Sequence, residues 1–120
     1  LLYMIHPYVP PHELYDPKMI EKIRYTYTKA GNENNVIVAP IGLAFINAYD
    51  ERPSIKLHKD FDGSHPDLLG TYLSACVLYA TIFNKPSSNI KYNYFGKVSL
   101  EDQKFLQSIA DKTVNEFFRR

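Results

Sequence analysis

With 120 residues, 45% of them hydrophobic and 22% charged, the chain is sized and composed for one domain with its own core. A formal net charge of +1 excludes an electrostatically driven nucleic-acid partner, which would show a basic patch or stripe. The aromatic residues fall mostly at helix or strand spacing rather than between Lys and Arg, so they belong to a core and a pocket wall rather than to base stacking.

In chain order, Leu1–Ile5 is a short apolar run that reads as a buried strand. It begins mid-pattern without an initiating Met, which predicts the C-terminal part of something longer. Pro7, Pro10 and Pro11 make His6–Tyr15 a loop. Asp16-Pro17 is a helix start, and Met19, Ile20, Ile23, Tyr27 and Ala30 give the helix its apolar face. Gly31 and Asn32 predict its stop. Val36–Ala39 is a second apolar strand, and strand–helix–strand at this spacing predicts a parallel pair with a right-handed crossover. A short helix over Leu43–Tyr49 follows, then an irregular stretch.

Asp62-Gly63-Ser64-His65-Pro66 leads into the apolar run Asp67–Phe83. Proline favours the first helical position, so His65 is expected where the helix starts and Asp62 in the turn feeding it. The run is shorter than the roughly 18–20 residues that span a bilayer, and it reads as a buried core helix. Cys76 lies within it as a small hydrophobe, without the cationic neighbour that a nucleophilic thiolate needs. Residues 84–98 are a connection, with a small hairpin expected around Ile90–Phe95. Ser99 and Asp102 resemble a capping box for a final amphipathic helix. In that helix Phe105, Leu106, Ile109, Ala110, Val114, Phe117 and Phe118 form one stripe, with Gln107 and Asp111 on the opposite face. The domain assignment is 1–120 as a single, truncated unit, with 84–120 a connection plus the C-terminal helix.

The chemistry centres on Asp62 and His65. A carboxylate three residues before a histidine can accept a hydrogen bond from one ring nitrogen, fix the tautomer, and leave the other nitrogen to take a proton. The structural alternative is that Asp62 caps the turn and His65 merely starts a helix. A second set, His58, Asp60, Asp62 and His65, offers mixed ligands of a kind divalent metals accept, although solvated charge explains His58 and Asp60 as well. His6 and His12 flank the proline-rich loop, either as loop residues or as the lining of a cleft. No glycine-rich phosphate loop, C-x-x-C pair or G-x-S-x-G elbow is present.

Val36-Ile-Val-Ala-Pro-Ile-Gly-Leu-Ala-Phe45 and Leu57-His-Lys-Asp-Phe-Asp-Gly-Ser-His-Pro-Asp67, with the helix behind them, resemble the C-terminal part of SGNH (GDSL-like) hydrolases, whose last block is D-x-x-H-P. The resemblance implies an α/β fold, a three-layer α/β/α flavodoxin-like SGNH hydrolase architecture of which this chain would be the C-terminal half with parallel strands. It also implies ester hydrolysis by a Ser-His-Asp triad, with His65 as general base and Asp62 as its orienting acid. The family's G-D-S block is absent from this chain, so the nucleophile and the oxyanion hole are expected outside it, and the isolated chain is expected to be inactive. The resemblance implies a small-molecule or carbohydrate-linked ester as substrate, no cofactor and no metal. A partner chain or missing N-terminal half, no nucleic acid and no membrane span complete the expectation. The competing expectation is a non-catalytic α/β binding or interaction module.

Overall fold

A computed structural model describes all 120 residues. β1 (Leu2–Tyr3) and β2 (Val38–Ala39) pair in parallel, Leu2 opposite Val38 and Tyr3 opposite Ala39, with α1 (Met19–Asn34) as the crossover between them. The Asp16 carboxylate accepts the Lys18 N–H at 2.9 Å, and its carbonyl accepts the Met19 N–H at 3.0 Å, so the first turn is held from outside the helix. The helix runs past Gly31 and stops at Asn35, which takes the left-handed conformation (φ 53°) that asparagine tolerates. Gly31 instead serves close approach: a Cβ there would lie 2.7 Å from a Val38 methyl.

α2 (Ile41–Glu51) begins directly after Pro40 and is longer than the predicted 43–49. Its second residue, Gly42, donates its N–H to the Met4 carbonyl at 2.9 Å, and any side chain there would collide with the Ile5 carbonyl. This contact seats α2 on the end of β1. α3 (Leu68–Phe83) starts two residues later than Pro66 suggests, because the Asp67 carboxylate accepts the Leu68 N–H at 2.8 Å and acts as N-cap. Gly70 lies against the Leu57 carbonyl, where a Cβ would not fit.

α4 (Leu100–Phe118) is capped by Ser99, whose hydroxyl accepts the Asp102 N–H at 3.1 Å. Asp102 does not return to the cap. Its carboxylate holds Arg52 at 2.7 Å, and the same guanidinium lies 3.9 Å from the Phe105 ring centre, which ties the end of α2 to the start of α4. Gln107, expected in water, is buried, its amide donating to the Ile90 carbonyl at 2.8 Å and the Tyr72 hydroxyl at 3.3 Å. Asp111, also expected in water, accepts from Ser87 N–H, Ser87 Oγ–H and Ser88 N–H at 2.6, 2.7 and 3.1 Å, pinning a 3-10 turn at Ser87–Asn89. No hairpin forms at 90–95. A tight turn closed by Val98 N–H to the Asn93 carbonyl at 3.1 Å takes its place.

The core is built mainly between helices, around Phe45, Leu73, Val77, Leu106, Ile109 and Val114. This corrects the three-layer α/β/α flavodoxin-like expectation, and with it the α/β and SGNH-fold labels. The chain forms four helices and a sheet of only two short strands. The physical reason is where the apolar surface goes. α3 and α4 bury theirs against each other, while the two strands share two residue pairs. The shortest molecular extent is 21 Å, about two helix diameters rather than three layers. No helix is long and apolar enough to cross a membrane.

Candidate active site

The stretch Asp62–Pro66 is a loop strapped on two sides. On one side it lies along residues 57–59: His58 and Pro66 form an antiparallel bridge, Lys59 N–H donates to the His65 carbonyl at 2.8 Å, and Asp67 N–H donates to the Leu57 carbonyl at 2.8 Å. On the other, Gly63 packs on the proline-rich loop and accepts the Val9 N–H at 2.9 Å. Gly63 sits at φ +60°, and a side chain there would run into the Val9 carbonyl, so the turn requires glycine twice over.

Within this loop Asp62 and His65 are brought together. Asp62 Oδ1 accepts two backbone N–H groups, Ser64 at 2.9 Å and His65 at 3.1 Å, and Oδ2 accepts from His65 Nδ1 at 2.5 Å. The Ser64 amide foremost, then the His65 ring, lowers the Asp62 carboxyl to about 2, so it is ionised throughout the neutral range. The His65 ring makes no other hydrogen bond and is 76% exposed, which leaves Nε2 open to solvent. A bare acceptor nitrogen with its opposite face held by a carboxylate can take up a proton and be stabilised as imidazolium.

Beneath the loop lies a group that sequence spacing did not assemble. His6 Nε2–H donates to the Ser64 carbonyl at 2.9 Å, and its ring stacks on Phe45 with centroids 4.6 Å apart. His58, 4% exposed, donates from Nε2 to the Pro7 carbonyl at 3.0 Å and accepts the Tyr49 O–H on Nδ1 at 2.6 Å. That pattern needs one donor and one acceptor on the ring, hence neutral imidazole. Burial lowers His58 to about 4, with His6 alongside, and burial lowers His6 as well. These histidines are supports for the turn, His6 by gripping Ser64 and His58 by joining the proline loop to the bridge at Pro66. His6 Nδ1 is buried without a partner.

The four-residue metal set does not converge. His58 has both nitrogens engaged, Asp60 pairs with Lys56 at 2.9 Å, and no group of three or more His, Cys, Asp or Glu side chains could hold a metal ion. His12 accepts the Leu14 N–H on Nδ1 and its ring stacks on Tyr8, so its side chain serves the proline-rich loop, whose backbone packs against Gly63. Burial pushes the Cys76 thiol up to about 11, far from a reactive thiolate. The hydroxyls of Ser74, Ser87, Ser99 and Ser108 are all engaged elsewhere, and none bonds to His65.

A cavity of about 570 Å³, not foreseen from the sequence, runs along α3 from Leu68, its first residue, to Tyr79. Residues 90–94 form its far wall. The available signal was the cluster Tyr92, Tyr94 and Phe95 ahead of Gly96, too aromatic for a solvated connection.

No family model and no curated protein matches the chain. Among solved structures, a DUF4886 family protein from Bacteroides uniformis ATCC 8492 superposes with a TM-score of 0.82 at 20% identity, over 93% of this chain and 46% of that protein. The chain therefore spans less than half the length of that neighbour, and what the two share is a fold.

Proposed function

We propose that Asp62 and His65 are the acid–base part of an ester-hydrolysing site whose serine nucleophile lies outside this chain. The observation that supports this reading is the division of labour on Asp62. One oxygen is anchored by two backbone amides, and the other faces His65 Nδ1 at 2.5 Å while Nε2 stays open. The likeness of the D-x-x-H-P block to that of SGNH hydrolases adds to it. In this mechanism His65 Nε2 takes the proton of a serine hydroxyl as the oxygen attacks the ester carbonyl. Asp62 stabilises the imidazolium, and His65 returns the proton to the departing alcohol. Water repeats the cycle on the acyl intermediate.

In protein produced from the whole reading frame, His65→Ala is expected to reduce turnover of p-nitrophenyl butanoate by about a thousandfold or more. Turnover within a few-fold of the parent would reject the assignment.

A second reading, a non-catalytic interaction module, draws on one feature. Leu1, Tyr3, Ile5 and Ile37 are exposed along the two-stranded sheet, whose β1 edge carries no neighbour. Uncovered apolar edges of this kind accept another strand. Sedimentation of the purified chain separates the two: a stable monomer with cooperative unfolding favours a self-sufficient module, and aggregation favours a piece of a larger enzyme.

A further inference from the structure

We propose that the groove along α3 holds a straight acyl chain of medium length, which makes it the acyl subsite of the reaction centred on His65. As a substrate subsite it rests on the ester-hydrolysis reading; as a chain-binding groove it rests on its own geometry. Leu68, Thr71, Ala75 and Tyr79 recur at three- and four-residue spacing, so they share one face of α3. Leu68 stands three residues beyond His65, and Tyr79 eleven further on, which makes the groove about 16 Å long. Its near end therefore lies at the dyad's end of the helix.

The floor is low because Thr71 and Ala75 are small and exposed, while Tyr72, Tyr79, Tyr92 and Tyr94 stand around it. No charged side chain lines the cavity, and eight of its nine residues are hydrophobic. The Tyr72 hydroxyl is already committed, donating to the Tyr92 carbonyl at 3.0 Å and accepting from Gln107. An extended peptide laid here would leave its backbone N–H and C=O groups without partners, a cost that an alkyl chain does not carry. The volume falls within the range of small-molecule pockets.

The outer wall supplies an independent observation. Tyr94 and Phe95 are both left-handed, at φ 57° and 56°, a conformation that bulky residues avoid. Asn93 holds this turn by accepting the Gly96 N–H on its side chain at 2.8 Å. Of the two, Tyr94 lines the groove while Phe95 is exposed outside it, so the costly conformation has the effect of setting one aromatic ring into the wall.

The test is titration of protein produced from the whole reading frame with straight-chain carboxylates from butanoate to decanoate, followed by backbone NMR shifts. The shared carboxylate keeps the head group constant while the chain grows. Saturable shifts confined to Leu68–Tyr79 and Ile90–Tyr94 are expected, with affinity rising about fourfold for each added methylene until the groove is full. Ala75→Trp, which fills the floor from an exposed helix position, should weaken decanoate at least tenfold. Thr71→Trp provides the same block one turn earlier should the first variant unfold. No saturable binding, affinity independent of chain length, or decanoate binding unaffected in a folded Trp variant would overturn the proposal. So would a concentration-dependent dimer that Ala75→Trp abolishes while decanoate has no effect, since the occupant would then be a second copy. Chain-length-dependent binding together with full turnover by His65→Ala would sustain the groove and overturn the hydrolase reading. Turnover lost in His65→Ala with no carboxylate binding would do the reverse.

Discussion

Asp62 carries three hydrogen bonds within four residues, and each has a separate consequence. The two to backbone amides fix the carboxylate in space, and the third fixes the imidazole. Such a unit is local, which is why the spacing of Asp62 and His65 could be read from the sequence. The histidines that support it could not, because His58 meets the Pro7 carbonyl across 51 residues and His6 meets Ser64 across 58. Their chemistry gives a prediction at this scale. The unfolded chain protonates His58 near 6.5 but the folded chain only near 4, so the unfolded state binds more protons between those values. Stability is therefore full above pH 6.5 and falls as the pH drops to 4, by roughly 3 kcal/mol from this residue. Urea unfolding across that window should show the loss, and His58→Gln should reduce it, leaving the smaller part that buried His6 contributes. An equal slope in both proteins would contradict the neutral, buried assignment.

Among the elements, the four helices follow their apolar periodicity, and the departures have identifiable causes. Asp67 outcompetes Pro66 as the start of α3 because its carboxylate satisfies a free amide that proline cannot. Gly31 looks like a helix stop, yet it is needed where Val38 presses on α1, and Asn35 ends the helix instead. Gln107 looks like a surface residue because its place in the core depends on the Ile90 carbonyl, which no helical pattern reveals. The 90–98 segment differs most from its reading, as a hairpin was expected and a strained turn is found. Phe95 is 85% exposed, so replacing it removes little packing. Phe95→Asn, which accepts the left-handed conformation, should raise stability by about 1 kcal/mol and the unfolding midpoint by a few degrees. A midpoint that is unchanged or lower would show that the turn stores no strain.

At the scale of the whole molecule, the parallel strand pair and its helical crossover could be read from residues 1–39, but the layered architecture could not. A flavodoxin-like sheet requires several strands, whereas Leu2–Tyr3 and Val38–Ala39 pair over two positions and the remaining apolar surface is buried between α3 and α4. Local motif likeness extended to the Asp62–His65 block, which lies in a loop held by the proline segment, the 57–59 stretch and the start of α3. These elements come from distant parts of the chain, and their combined effect is to present one imidazole with a chosen nitrogen outward. General-base chemistry at His65 depends on which nitrogen that is. The ¹⁵N ring shifts of His65, recorded at a pH where imidazoles are neutral, measure it directly. The proton is predicted on Nδ1, facing Asp62, with Nε2 bare and able to act as a base. A proton found on Nε2 would contradict the central claim.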